Sequence, residues 1–332
     1  MAVKLTNDTG INLPMAVWLT DDNYDYNDDP EYISATTLLK PIREIVLSRQ
    51  HLEETKAIDI SGFIQSQLGD AIHAATERAW TNKRALAKGC EMVGIAPDMV
   101  DDFLINPTVE QLQAHKLINK RKPIPVYLEQ RATKRLDGWT VGGKFDLVIA
   151  GELHDYKSTS TFTYVNQTGG DKYIKQGSMY RWLNPDKITN DVLTINYLFT
   201  DWTKWKVGQP NYPQYRVMEQ YFDLMPPKEI ESWMKGKLAL ITKHLKSDQK
   251  HLPRCTDEEL WKKESKWKYF KNPQNVRATK VYDTAGEAND RLRKEGCGVV
   301  KEFPGMAKAC SYCSAEPFCD QAIELRKAGL LE

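Results

Sequence analysis

The chain has 332 residues, is 41% apolar and 27% charged, and carries a formal net charge of +1. That length suits one large domain or a core with a smaller appendage, and the charge excludes a globally basic nucleic-acid binder, so any basic surface must be local. No stretch is long and apolar enough to span a bilayer, and Met1–Thr20 lacks the pattern of a secretory signal. A cytoplasmic, reducing setting is therefore expected, where six cysteines suggest metal ligands or free thiols rather than disulfides.

Residues 1–30 are polar and acidic, without periodicity, and read as a loosely attached arm or a short hairpin. Ser34 is a natural N-cap for the helix that follows. Ile64 to Trp80 is amphipathic, with an apolar stripe of Ile64, Leu68, Ile72, Ala75 and Ala79. His73 lies off that stripe, one turn after Gly69. A glycine inside a helix costs about 1 kcal/mol, which suggests close approach of another backbone or of substrate. Residues 83–123 read as helical and basic. Val126 to Ala132, containing Glu129, reads as a strand that turns at Asp137-Gly138.

The centre of the chain is Gly143-Lys144-Phe145-Asp146 through Asp155-Tyr156-Lys157-Ser158. Val141 to Ile149 and Leu153 to Lys157 read as two strands joined at Ala150-Gly151. A turn centred there sets Ile149 opposite Glu152, Leu147 opposite His154 and Asp146 opposite Asp155, with facing Cβ atoms roughly 4.5–5.5 Å apart. Lys157 follows Asp155 by two positions and joins its face. Two converging carboxylates repel unless a cation separates them, and a hard divalent cation such as Mg²⁺ prefers such oxygen ligands. The adjacent ammonium suits a reaction that builds negative charge, such as attack on a phosphodiester.

Downstream, Asp171 to Trp182 is helical and sets Gln176 and Tyr180 at i and i+4, before Asn184-Pro185 ends it. Val192 to Phe199 and Tyr215 to Phe222 are strands. Their connection interleaves Trp202, Lys204, Trp205 and Lys206, residues that either stack on bases and neutralise phosphate or simply anchor the loop. A long helix begins at Pro226-Pro227, and the character of the chain shifts near residue 250. A short strand (Ala278 to Tyr282) and a helix (Thr284 to Lys294) precede a cysteine-rich tail. The expected organisation is an arm (1–30), a core (31–249) and a C-terminal unit (250–332). In the tail, Cys310, Cys313 and Cys319 give C-x2-C-x5-C, a spacing that holds one metal centre, and Cys255 or Cys297 could complete the set. Four thiolates suit zinc or an iron–sulfur cluster.

The ordered set Gly69…His73, Gly143…Asp146, Asp155-Tyr156-Lys157 and Gln176…Tyr180 resembles the GxxxH, GxxD, DxK and QxxxY motifs of the PD-(D/E)XK nuclease superfamily, RecB-like branch. The resemblance covers roughly residues 32–222. It implies an α/β fold: a restriction-endonuclease-like core with a central mixed sheet flanked by helices, plus a small cysteine-clipped C-terminal unit. It also implies that His73, Asp146, Asp155 and the Tyr156 carbonyl bind Mg²⁺ or Mn²⁺. Lys157 would assist the attacking water or the phosphorane, and Gln176 and Tyr180 would position the DNA strand near the scissile phosphate. Glu129 matches a further carboxylate found in some members.

A subset of the family, including the CRISPR adaptation nucleases, holds a four-iron cluster through three C-terminal cysteines and one earlier cysteine. Here Lys40-Pro41 stands where the earlier Cys-Pro is expected. The segment from Pro253-Arg254-Cys255-Thr256 to Trp261 is similar to the C-terminal unit of phage-encoded RecB-like exonucleases, which favours Cys255 as fourth ligand to a 4Fe-4S cluster or Zn²⁺. The implied activity is metal-dependent DNA hydrolysis, as an exonuclease in recombination or phage DNA processing. DNA is the implied substrate, an annealing protein or a helicase the implied partner, and no membrane is involved. The alternatives are a catalytically silent binding protein on this scaffold and a structure-specific endonuclease.

Overall fold

The computed structural model describes residues 4–22, 27–52 and 57–331. Residues 1–3 and 23–26 of the expected arm lie outside the described residues. In chain order the strands are β1 (Lys4–Thr6), β2 (Tyr32–Ser34), β3 (Ala57–Asp59), β4 (Phe103–Ile105), β5 (Ile124–Leu136), β6 (Trp139–Ile149), β7 (Glu152–Thr159), β8 (Val192–Phe199), β9 (Val217–Asp223), β10 (Lys266–Phe270), β11 (Lys280–Tyr282) and β12 (Val299–Phe303). The helices are α1 (Leu13–Leu19), α2 (Ala35–Leu38), α3 (Ile42–Gln50), α4 (Ile64–Thr81), α5 (Lys83–Met92), α6 (Val109–Asn119), α7 (Thr161–Asn166), α8 (Gly170–Leu183), α9 (Pro227–His244), α10 (Ala285–Glu295) and α11 (Asp320–Lys327). Backbone contacts divide the chain into two compact units, Met1–Leu39 with Thr55–Leu238, and Lys40–Glu54 with Ala239–Glu332.

The first unit is built on a curled, mixed sheet flanked by helices. Its strands run in the order β4-β5-β6-β7-β8-β9, with β2 joined to β6. Strand β8 has neighbours on both edges, parallel to β7 and antiparallel to β9, and buries Leu193, Ile195, Tyr197 and Phe199. Both central hairpins turn through pairs of residues with positive φ: Asp137 and Gly138 at 47° and 86°, Ala150 and Gly151 at 48° and 92°. That is the geometry whose twist matches the strands it joins. An alanine in this conformation is strained by roughly 1–2 kcal/mol; its N–H is held by the Pro125 carbonyl at 2.9 Å.

The β6–β7 register follows the expected one, with Ile149 paired to Glu152 and Leu147 to His154. The ladder then stops. On the same edge of β6, β2 pairs in parallel with Thr140–Gly142. Residues 143–146 therefore face a gap between two partner strands, and Asp146 stands at its rim.

Three local expectations differ from the structure. Among the described residues, the N-terminal segment pairs β1 in parallel with β3 rather than in a hairpin of its own. The stretch read as wholly helical contains β4, whose three residues are too few to show a period of two. On α4 most of the apolar stripe is exposed: Ile64, Leu68, Ala75 and Ala79 face solvent, whereas Ile72 of the stripe and Gly69, His73, Thr76 and Trp80 beside it are partly covered.

In the second unit, β10 is the middle strand of a three-stranded antiparallel sheet with β11 and β12, and Tyr269 and Phe270 fill its core. Leu260, Ala307, Cys310 and Ala322 form a separate buried cluster, with Cys255 and Cys319 packed against it.

Candidate metal centre

The pairs Leu128–Leu147 and Gln130–Phe145 put Glu129 of β5 opposite Asp146 of β6. Continuing the β6–β7 register puts Asp146 opposite Asp155. Three carboxylates thus lie in a row across three strands. Neither pairing is completed by backbone hydrogen bonds. Glu129 has a φ of 47°, which swings it out of the ladder, and Asp146 Oδ2 accepts the Tyr156 N–H at 2.9 Å. The imidazole comes from α4: His73 Nδ1 lies 3.1 Å from Glu129 Oε1 and 3.5 Å from Asp146 Oδ1. Among the described residues, ligand atoms of His73, Glu129 and Asp146 all lie within 4.8 Å of one another. Asp155 stands outside that trio, with Lys157 Nζ at 2.5 Å from its Oδ2. This buried oxygen is thus ion-paired, although the ammonium does not complete an aligned hydrogen bond to it.

The electrostatics are those of a site short of positive charge. Burial, then the nearby Asp155, pushes the Asp146 carboxyl up to about 7. Its hydrogen bond to Glu129, assisted by Asp146 and opposed by burial, raises His73. Burial would raise Glu129, but hydrogen bonds from His73 and Lys144 outweigh it and hold the acid below its usual range. Lys144 Nζ sits 2.7 Å from Glu129 Oε2, a partner to which the sequence reading gave no role. For Lys157, burial is outweighed by Asp155 and Asp146, which hold the ammonium charged. Carboxylate oxygens with one imidazole and a carboxyl driven toward neutrality fit a hard divalent cation.

Gln176 and Tyr180 share one face of α8, with Gln176 Nε2 donating to Tyr180 Oη at 2.8 Å. Tyr180 is buried, and its ring lies over Gly143. No comparable crowding explains Gly69, where an added β-carbon would meet nothing nearer than Ser158 Oγ at 3.9 Å. Tyr156 also contacts α4, its hydroxyl accepting from Trp80 Nε1 at 3.4 Å and its ring lying edge-on to His73.

In the second unit Cys255, Cys310, Cys313 and Cys319 are free and wholly or partly buried, while Cys297 is exposed. Gln321, itself buried, clamps Cys255 by accepting its N–H at 2.8 Å and donating to its carbonyl at 2.9 Å. Burial pushes both Cys255 and Cys313 up to about 12, with Glu259 adding to the first and Glu44 to the second, and the other cysteines contributing to both. Burial holds these thiols protonated, and a bound cation would reverse that balance, but the cysteines are not among the described residues whose ligand atoms gather within 4.8 Å of one another. Segment α3 belongs to this unit. It brings the buried Arg43, whose Nε donates to Cys319 Sγ at 3.2 Å and whose guanidinium also binds Asp320 and the carbonyls of Gln249 and Leu252. His51 stacks on Phe318 at 4.5 Å, and the Ser48 and Ser314 hydroxyls are 2.8 Å apart. Lys40, at the position where an earlier cysteine is expected, pairs with Glu44 at 2.7 Å.

No family model and no curated protein matches the chain. Among solved structures it is similar to SSO0001, at 13% identity and a TM-score of 0.38, over 69% of this chain and 87% of that one. It is also similar to a phage-related exonuclease from Haemophilus somnus 129PT, at 12% identity and a TM-score of 0.26, over 41% of this chain and 66% of that one. Likeness at this level assigns neither family nor activity. Among the described residues, no helix is long and apolar enough to cross a membrane.

Proposed function

We propose that the chain is a Mg²⁺- or Mn²⁺-dependent deoxyribonuclease of the PD-(D/E)XK type, acting as an exonuclease in recombination or phage DNA processing. One observation carries this reading: His73 of α4 converges with Glu129 of β5 and Asp146 of β6 within 4.8 Å of one another, in the sheet that also carries the Asp155–Lys157 pair. When bound, the cation activates water and neutralises charge building on the phosphate. His73 and Asp146 would hold it, with Asp155 and the Tyr156 carbonyl completing the set, and Glu129, whose oxygen lies in the same cluster, would add a further carboxylate. Lys157, kept charged by the two aspartates, stabilises the phosphorane as it forms. Tyr180, fixed by Gln176, supports the strand that carries Asp146.

In the second unit, Cys255, Cys310, Cys313 and Cys319 would hold a 4Fe-4S cluster or Zn²⁺, a reading supported by the packing of Cys255, Cys310 and Cys319 around one cluster and by the raised Cys255 and Cys313 thiols. DNA is the substrate on this reading, and an annealing protein or helicase a partner. The test uses end-labelled linear DNA and closed circular DNA with Mg²⁺ or Mn²⁺, beside Asp155→Ala. Metal-dependent loss of linear DNA alone, absent in the variant, is the expected result. Nicked circles would make the protein an endonuclease. Binding without cleavage under either metal would overturn the reading in favour of a silent scaffold.

A further inference from the structure

Strands β7 and β8 are parallel, so their C-terminal ends lie side by side, beyond Lys157 and its register partner Tyr197. The segments leaving them are tied together. Thr200 N–H donates to the Thr159 carbonyl at 2.9 Å, and Thr161 N–H donates to Asp201 Oδ1 at 2.6 Å. Between α7, the loop after β8 and β9 lies a cavity of about 300 Å³, lined by Tyr164, Val165, Gln167, Asn211 and Gln220. No Lys, Arg, Asp or Glu is among them, so the cavity is not built for phosphate. Three carboxamides and a phenol ring instead offer paired donors and acceptors beside an aromatic surface, the chemistry that reads the edge of a nucleobase. The cavity connects to the reactive strand: Tyr197 Oη donates to Gln220 Oε1 at 3.2 Å, and the Tyr164 and Tyr197 rings meet edge-on at 5.5 Å.

The loop over this cavity also resolves the role of its two tryptophans. Trp202 is the anchor, its Nε1 donating to the Pro213 carbonyl at 3.0 Å. Trp205 projects, 74% exposed, with Lys206 Nζ 5.3 Å from its ring centre. From 201 to 216 the loop carries Lys204, Lys206 and Arg216 against the single Asp201. A flat indole among cations matches a single strand, with stacking for a base and charge for its phosphates.

Building on the nuclease reading, we infer that this cavity is a subsite for an unpaired base of the substrate strand, with Asn211 and Gln167 reading its edge, and that the exposed Trp205 on the same loop stacks a further base of that strand. The test measures binding of oligo(dA), oligo(dC) and oligo(dT) with Ca²⁺ in place of Mg²⁺, so that it does not depend on cleavage. Trp205→Ala should weaken binding roughly 5- to 150-fold, the value of one base–aromatic stack, and Trp205→Phe should recover most of it. Asn211 has a φ of 61°, so Asn211→Gly keeps the backbone while deleting the carboxamide. This variant should level the affinities of the three oligonucleotides without changing the melting temperature. Wild-type affinity in Trp205→Ala, or equal wild-type affinity for all three oligonucleotides, would overturn the subsite. A wild-type chain that binds in this pattern yet cuts no DNA would overturn the nuclease reading and leave the subsite standing.

Discussion

Gly143 lies so close beneath Tyr180 that a β-carbon at that position would stand 2.7 Å from the ring's Cε1. The first glycine of the central motif is thereby tied to the tyrosine of the last, and the strand bearing Asp146 is seated against α8. Gly143→Ala should destabilise the protein by about 1–3 kcal/mol, the usual range for overpacking. Nuclease activity should fall further than stability, because the strain sits three residues from Asp146. Adding Tyr180→Leu should restore part of the melting temperature; no recovery in the double variant would show that the clash is not what limits Gly143.

The Asp146 carboxyl gives a pH prediction. An aspartate in the unfolded chain ionises near about 3.9, whereas in the metal-free fold burial and Asp155 push this one up to about 7. The folded state binds the extra proton across that window. Its contribution to stability is therefore full below the lower value and is lost as pH rises to the upper one. Asp146→Asn removes the loss, so melting curves of metal-free variant and wild type should diverge from about pH 4 to about pH 7, the variant melting higher. Mn²⁺ at a hundred times its Kd should stabilise wild type by about 2.7 kcal/mol and leave the variant nearly unmoved. A metal shift of equal size in both would place the cation elsewhere.

Lys157 holds the one cationic group seen against the buried Asp155 Oδ2. Lys157→Met should lower cleavage by at least roughly 10²-fold, as loss of one aligned electrostatic contact does in other active sites. It also strands a buried carboxylate, at a cost of roughly 3–5 kcal/mol. Combining it with Asp155→Asn should recover the stability and none of the activity. Recovered activity in the double variant would remove Lys157 from the chemistry.

Much of this was legible because the signals were local. A hairpin register follows from the position of its turn, and the Ala150-Gly151 turn sets Leu147 against His154 as its sequence position requires. Helix α8 declares itself through its spacing and the Asn184-Pro185 stop. The opening of the β6–β7 ladder was not legible, because it depends on β2 arriving from a hundred residues upstream and on Asp146 taking the Tyr156 N–H. Nor was the inward face of α4, since His73 and Trp80 seat it through partners on β5 and β7 rather than through an apolar stripe. Arg43 was invisible for the same reason: it meets Cys319 across 276 positions of sequence.

That contact makes Arg43 a test of the second unit. Its buried guanidinium serves Cys319, Asp320 and two backbone carbonyls at once, a planar fork that an ammonium does not reproduce. Arg43→Met should destabilise this unit by roughly 3–5 kcal/mol, because Asp320 and the carbonyls lose a buried partner. Arg43→Lys should recover little. Limited proteolysis, read by cleavage within residues 239–332, distinguishes loss of this unit from global unfolding, and an undisturbed unit in Arg43→Met would dismiss the role.

The choice of fourth cysteine ligand can be decided by metal content. Cys255 is fixed by Gln321 and packed with Cys310 and Cys319 around one apolar cluster. Cys297 is exposed, and its carbonyl is the acceptor for Tyr269 Oη at 2.8 Å in the separate three-stranded sheet. Iron and zinc, measured per chain on protein purified without oxygen, should therefore fall in Cys255→Ser and stay at the wild-type level in Cys297→Ser. Because burial holds the Cys255 and Cys313 thiols protonated up to about 12 in the metal-free state, loading must expel protons. Metal uptake should then strengthen as pH rises and acidify a weakly buffered solution. Equal metal content in wild type and Cys255→Ser, with no proton release, would leave the four thiols as packing alone.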